Sequence, residues 1–185
     1  MNSLKNVIYN KNPLLILSYL SKNVTKPNIS SHIANDLNIA VGSVHQILKS
    51  FGKNSLIIGS PIGKSIVYEI DHHSPIIKAF RLFDTLLELY PLFKSLEQVC
   101  RKIILYGSCA TGTDTELSDI DLMIEADEDN KNQVYEAISS FETSRDINAL
   151  VLHTAEVIEL EKNEPVYFNE IKKGIEIWGG IDGFN

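Results

Sequence analysis

Cysteine is nearly missing from this chain. Its two thiols, Cys100 and Cys109, are too few for a disulfide scaffold or a four-thiolate zinc site, and both read as small apolar residues. Long hydrophobic runs are missing too. The longest uncharged candidate, Pro13 to Leu20, has eight residues, against the ~18 needed to cross a bilayer. No apolar stretch near the start is followed by an Ala-x-Ala-like cleavage site, so a cytoplasmic protein without membrane contact is expected. With 10 Gly and 6 Pro there is neither a collagen-like nor a low-complexity pattern. What is present is 185 residues, 44% hydrophobic and 22% charged: an ordinary globular composition for one large or two small domains.

Charge divides the chain. Up to residue 95 there are ten Lys and Arg against five acids, a balance of +5. The totals of 17 bases and 24 acids leave seven and nineteen for the remainder, a balance of −12. Two domains with different partners are expected, a polyanion for the first and metal-bound or cationic groups for the second.

In the basic half, Leu14, Leu15, Leu17 and Leu20 follow Pro13 at helical spacing until Lys26-Pro27-Asn28 interrupts them. Asn28 is a candidate N-cap for a second helix with Ile29, Ile33, Ala34 and Leu37 on one face. After Asn38-Ile39-Ala40, the segment from Val41 to Phe51 carries an apolar stripe of Val44, Ile47, Leu48 and Phe51. Its other face shows Ser43, His45, Gln46 and Lys49. Two β-rich runs, 55–59 and 65–70, then flank a turn over Ser60-Pro61-Ile62-Gly63-Lys64. Helix, helix-turn-helix and hairpin over residues 8 to 72 resemble the winged helix-turn-helix DNA-binding domains of bacterial and archaeal regulators. That resemblance implies that the third helix enters the major groove and the wing touches the backbone, so Ser43, His45, Gln46, Lys49 and Lys64 would meet DNA. It also implies a homodimer, from the two-fold habit of such proteins. A long amphipathic helix is expected from Ser74 to Tyr90, broken or kinked by Pro91, with the domain boundary between Pro91 and Arg101.

The acidic half is more specific. Lys102 to Tyr106 reads as a buried strand ending in Gly107-Ser108, and ten residues further on Asp119-Ile120-Asp121 opens a second strand. Carboxylates at i and i+2 of a strand share a face, where they repel and lose solvation unless a cation joins them. A divalent ion with oxygen ligands meets that need, and glycine lets backbone N–H groups approach phosphate. Glu125 lies on the same face about 13 Å along, too far to share an ion. Asp127 to Asn130 reads as a solvated turn capping a helix from Lys131 to Phe141. His72, His73 and His153 lack partners at metal-ligand spacing, and Trp178 reads as core of a last strand.

The runs Leu105-Tyr106-Gly107-Ser108-Cys109-Ala110-Thr111-Gly112 and Ser118-Asp119-Ile120-Asp121-Leu122 resemble the nucleotidyltransferase superfamily that shares the polymerase-beta palm, in particular its minimal members, with the likeness extending through Trp178-Gly179. The resemblance implies an α+β protein of two domains: a winged helix-turn-helix over 1–73, linking helices over 74–100, and over 101–185 a nucleotidyltransferase fold with a mixed sheet flanked by helices. It implies Mg²⁺, with Mn²⁺ as a substitute, and an NTP substrate, ATP being the expected base. Gly107 and Ser108 would bind the nucleotide, while Asp119, Asp121 and Asp146 would hold metal and serve catalysis, Asp146 as general base. Asp146 and Asn148 share a strand face, and either can occupy the third carboxylate position. Where family members commonly place Arg after the Gly-Ser turn, this chain has Thr111. The acceptor would be a protein or RNA hydroxyl, with toxin-modifying antitoxins as the model. The rival reading is a DNA-binding regulator that senses nucleotide without turnover.

Overall fold

The structure, a computed structural model, describes residues 10–23 and 27–179, the last two through their backbone alone. Lys5 and Lys26, counted in the basic half, and the side chain of Trp178 lie outside the described residues. The chain forms two compact units that divide between Arg81 and Leu82.

The first unit holds α1 (Lys11–Lys22), α2 (Ser30–Asp36), α3 (Val41–Lys53) and a hairpin of β1 (Ile57–Ile62) with β2 (Ser65–Ile70). Apolar residues at helical spacing converge on one core: Ile16 and Leu17 of α1, Ile33 of α2, and Val44, Leu48 and Phe51 of α3 are fully buried. Each such side chain contributes roughly 1.5–3 kcal/mol of transfer free energy. Asn28 does not cap α2, whose N-cap is Ile29 without a side-chain bond. It is buried instead: its amide donates to the Asn23 carbonyl at 3.0 Å, its side-chain oxygen accepts from Asn23, and its own carbonyl accepts from Tyr68 N–H at 2.9 Å. The residue straps the end of α1 to β2. The hairpin turn is tighter than the sequence suggests, since β1 runs through Pro61 to Ile62 and leaves only Gly63 and Lys64 to reverse the chain. A two-stranded ribbon has free edges on which proline forfeits no ladder bond, and Gly63 takes the left-handed φ of +60° that the short turn requires.

The next helix, α4 (Pro75–Leu96), contains Pro91 and is not ended by it. Leu87, whose carbonyl Pro91 leaves without its donor, is exposed, so water can satisfy that oxygen, and Leu89, Leu92, Phe93 and Leu96 keep the last turns packed.

The second unit is built on a four-stranded mixed sheet in the order β5-β4-β3-β6, from β3 (Lys102–Tyr106), β4 (Ile120–Glu125), β5 (Ile147–Leu152) and β6 (Ile175–Gly179). β3 pairs antiparallel with β4 and β6, while β4 and β5 are parallel. The parallel crossover runs through a 3₁₀ turn (Glu128–Asn130) and α6 (Lys131–Ser140), as the acidic turn before Lys131 leads one to expect. Strand alternation separates two faces. Ile103, Leu105, Ile120, Leu122, Ile124 and Val151 pack with α4 and Val134 of α6, whereas Ile104, Tyr106 and Met123 pack on the opposite side with Ile171 and Leu160. The latter belong to α8 (Pro165–Lys172) and α7 (Thr154–Asn163), which complete the sheet's cover. His153 is structural, closing a capping box with Glu156 at the start of α7.

A polar cluster centred on Arg145 is buried in this unit. Arg145 donates to Asp114 at 2.9 Å and to Glu88 of α4 at 3.1 Å, and Thr143 donates to the other oxygen of Glu88 at 2.9 Å. Replacing Arg145 by Met is expected to destabilise the second unit by about 3–5 kcal/mol, because two largely buried carboxylates lose their guanidinium; denaturant unfolding of the variant measures this.

Candidate active site

The pairing of Tyr106 with Asp121 sets the start of β4 beside the end of β3, where the chain turns into the short helix α5 (Gly107–Thr111). Gly107 is required here on two counts. Its φ of +69° is left-handed, and a Cβ on it would overlap Asp121 Oδ2. Ser108 follows, half-buried. Cys109 is sealed inside, with its thiol donating to the Asp119 carbonyl at 3.4 Å and its pKa pushed up to about 11, chiefly by burial. Thr111 Oγ1 donates to the Ser108 carbonyl at 3.1 Å and bonds Thr113 Oγ1 at 2.8 Å, so it closes the turn on itself.

Asp119 is exposed just before β4 and Asp121 is half-buried within it. Ile120, Leu122 and Ile124 fill the core on one face, which leaves Asp121 on the other. On β5 the residue in register with Asp121 is Asn148, whose Nδ2 donates to Asp119 Oδ2 at 3.0 Å. Burial holds the Asp121 carboxyl above the ordinary aspartate range; hydrogen bonding from Asn148 pulls it down and the Asp119 charge pushes it up again. Asp146 sits immediately before β5, exposed; its carbonyl accepts from Ile120 N–H at 2.8 Å, and its side chain has no hydrogen bond or ion pair among the described residues. Geometry thus brings Asp119, Asp121, Gly107 and Asn148 together and leaves the Asp146 carboxylate in solvent.

A flank of the site escaped the sequence reading. Tyr106 is raised by burial, by its hydrogen bond to Tyr167 and by the charge of Asp121, so its phenol stays protonated. The two hydroxyls lie 2.8 Å apart, with the rings edge to face at 6.3 Å. Tyr167 comes from α8, an element without a distinctive motif. Only strand alternation, which turns Tyr106 to the same face as Asp121, hinted at it.

Two hard carboxylates on one face, one of them set in the space that the missing Cβ of Gly107 leaves, suit a divalent cation with oxygen ligands such as Mg²⁺ or Mn²⁺. A second acidic group, Glu128, His153 and Glu156, has its ligand atoms within 4.8 Å of one another. There the Lys131 ammonium already bridges Glu128 at 2.9 Å and Glu156 at 2.7 Å, and His153 is engaged in the cap, so the charge is met without an ion. Glu125 accepts from Thr154 at 2.7 Å, away from the site.

In the first unit Ser43, His45, Gln46 and Lys49 are all exposed on α3, and Lys64 is exposed at the hairpin turn. Ser43 and Gln46 line an open groove of about 670 Å³ with Lys11, Asn12 and Gly42.

Opposite stability effects are expected at the two halves of the site. Gly107→Ala forces a left-handed alanine against Asp121 and destabilises by about 1–3 kcal/mol. Asp121→Asn removes a desolvated charge beside another carboxylate and raises Tm by roughly 2–4 °C. Thermal melts without divalent ions check both signs.

No curated protein matches the chain. The stretch from within α4 through β6, with its helices and mixed sheet, is the part that a family model describes. Residues 88–180, half of the sequence, match the model for "Polymerase beta, Nucleotidyltransferase", and the chain belongs to that family.

Proposed function

We propose that this protein is a divalent-cation-dependent nucleotidyltransferase whose activity is coupled to DNA binding. The observation that carries the reading is the convergence of Asp119 and Asp121 on the Gly107 turn within a domain of this family. Asp119 and Asp121 hold the cation, and Gly107 and Ser108 face the triphosphate. A divalent cation held there neutralises phosphate charge and favours attack at phosphorus. An acceptor hydroxyl forms a bond to the α-phosphorus, the bond from that phosphorus to the bridging oxygen breaks, and pyrophosphate leaves with the electron pair. Asp146, exposed before β5, takes the hydroxyl proton. Fewer than about a hundred residues leave little room for acceptor recognition within the domain, which favours a docked protein or RNA as acceptor and ATP as the donor.

The first unit reads as the winged helix-turn-helix that couples this chemistry to DNA. Its support is the exposed basic and polar face of α3 and the Lys64 turn, within a half of the chain that carries +5. A homodimer bound in the cytoplasm to a two-fold DNA site is the corresponding assembly. The competing reading, a regulator that senses nucleotide with little turnover, gains from Thr111 and Asn148, each neutral where a charge would serve catalysis.

Incubation with each α-labelled NTP and Mg²⁺, alone and with the product of a neighbouring gene, tests the enzyme. Label is expected on an acceptor with wild type and to fall at least ~100-fold in an Asp119→Ala, Asp121→Ala double variant. Equal labelling by both proteins, or no nucleotide binding at all, overturns the reading. For DNA, Lys49→Ala and Lys64→Ala are each expected to lower the slope of log affinity against log salt by about one. An unchanged slope in gel shifts on the DNA upstream of its own gene removes these lysines from the interface.

A further inference from the structure

The face that carries Asp119 and Asp121 has an amide where a third side chain meets them. β4 and β5 are parallel and in register, so Asn148 lies directly across from Asp121, and its Nδ2 donates to Asp119 Oδ2 at 3.0 Å. The orientation of that amide is dictated by its partner. A carboxylate only accepts, so turning the amide over would set oxygen against oxygen. An NH₂ group cannot ligate a cation. Asn148 therefore fixes one Asp119 oxygen and offers no ligand of its own on that side.

Charge sets how many ions the face can hold. Two carboxylates match one divalent cation, and a second cation would find no further carboxylate held against the pair. Asp146, just before β5, is exposed, and no contact directs its side chain toward the pair.

We infer that the site takes a single divalent cation together with its nucleotide, and that Asn148 is a positioning residue that holds Asp119 in its ligating orientation while leaving a second cation place latent. The inference rests on the nucleotidyl-transfer reading and narrows it. A one-cation site binds the nucleotide but stabilises only part of the charge that develops in the transfer, so turnover is slow in the native chain. Asn148→Asp, nearly isosteric, supplies the missing carboxylate.

The test is equilibrium binding of Mn²⁺, followed by electron spin resonance of the free ion, to the full chain with a non-hydrolysable ATP analogue. Wild type is expected to bind about one ion per chain and Asn148→Asp about two, with label transfer rising on the order of tenfold or more. Asp146→Asn is expected to keep about one ion while losing transfer. Asn148→Ala is expected to keep about one ion but bind it roughly 5-fold more weakly, because Asp119 loses its clamp. Thermal melts identify any variant that does not fold, and the alanine variant still decides the positioning role if the aspartate variant fails. Two ions in wild type, one ion in a folded Asn148→Asp protein, or unchanged affinity in Asn148→Ala overturns the inference alone. No Mn²⁺ bound with nucleotide by any of the folded proteins overturns the nucleotidyl-transfer reading itself.

Discussion

The buried Arg145 guanidinium is the constraint on which the second unit's geometry turns. It meets Glu88 of α4 and Asp114 of the loop after α5, and it stands three residues before Asn148. Its contact with Cys109 at 3.5 Å ties in the turn that begins at Gly107. Three segments distant in sequence are thereby fixed at one end of the sheet. An apolar cluster could supply as much stability, but directional ion pairs also set which orientation the loop and the strand adopt. Asp119 and Asp121 need that rigidity, because charges that repel one another spread apart wherever their supporting loops can move.

The site itself stores unfavourable electrostatics. Asp121 is half-buried, near Asp119 and against the place where any larger residue at 107 would have its Cβ, and the hydroxyl pair of Tyr106 and Tyr167 closes one flank. Burial raises Asp121 even though Asn148 relieves part of the cost. Nothing in the packing requires a carboxylate there, since the larger hydrophobic core lies on the opposite face of β4 and the smaller cluster on this face uses Met123, not Asp121. Such an uncompensated cost on an otherwise consistent fold is the physical mark of a functional site.

That mark was legible in the sequence as Asp-x-Asp on a strand after Gly-Ser, because strand periodicity alone places both carboxylates on one face. The periodic apolar stripes of α1 to α3 were readable for the same reason. Long-range relations were not. Asn28 looked like a helix cap because Asn commonly is one, yet its role depends on Asn23 and Tyr68, whose proximity no local pattern announces. Pro91 looked like a stop because proline removes a donor, but α4 is held on both sides of it by its packing. α7 and α8 carry weak apolar periodicity between charged residues, so neither they nor Tyr167 stood out. Register decided the rest: Asp146 and Asn148 alternate to the same face, and only the pairing of β4 with β5 assigns Asn148 to Asp121.

Two neutral side chains flank the charged pair and are best understood together. Thr111, in the turn that begins at Gly107, spends its hydroxyl on the Ser108 carbonyl and on Thr113. Asn148 stands against the aspartate pair and donates to Asp119. Neither brings a charge: Thr111 adds no positive group beside the Gly107 turn, and Asn148 adds no third negative group beside the aspartates. On the proposed nucleotidyl-transfer reading, the groups that would stabilise a more highly charged transition state are then few on both sides. A cation at position 111 alone would leave surplus positive charge, and a carboxylate at position 148 alone surplus negative charge. In that reading the paired neutrality would keep a nucleotide and one divalent cation balanced in the ground state and withhold stabilisation chiefly from the transition state, where differential binding determines rate. In a chain whose other half is basic and exposes polar residues on α3, a long-lived nucleotide complex can act as a signal as well as a reaction intermediate.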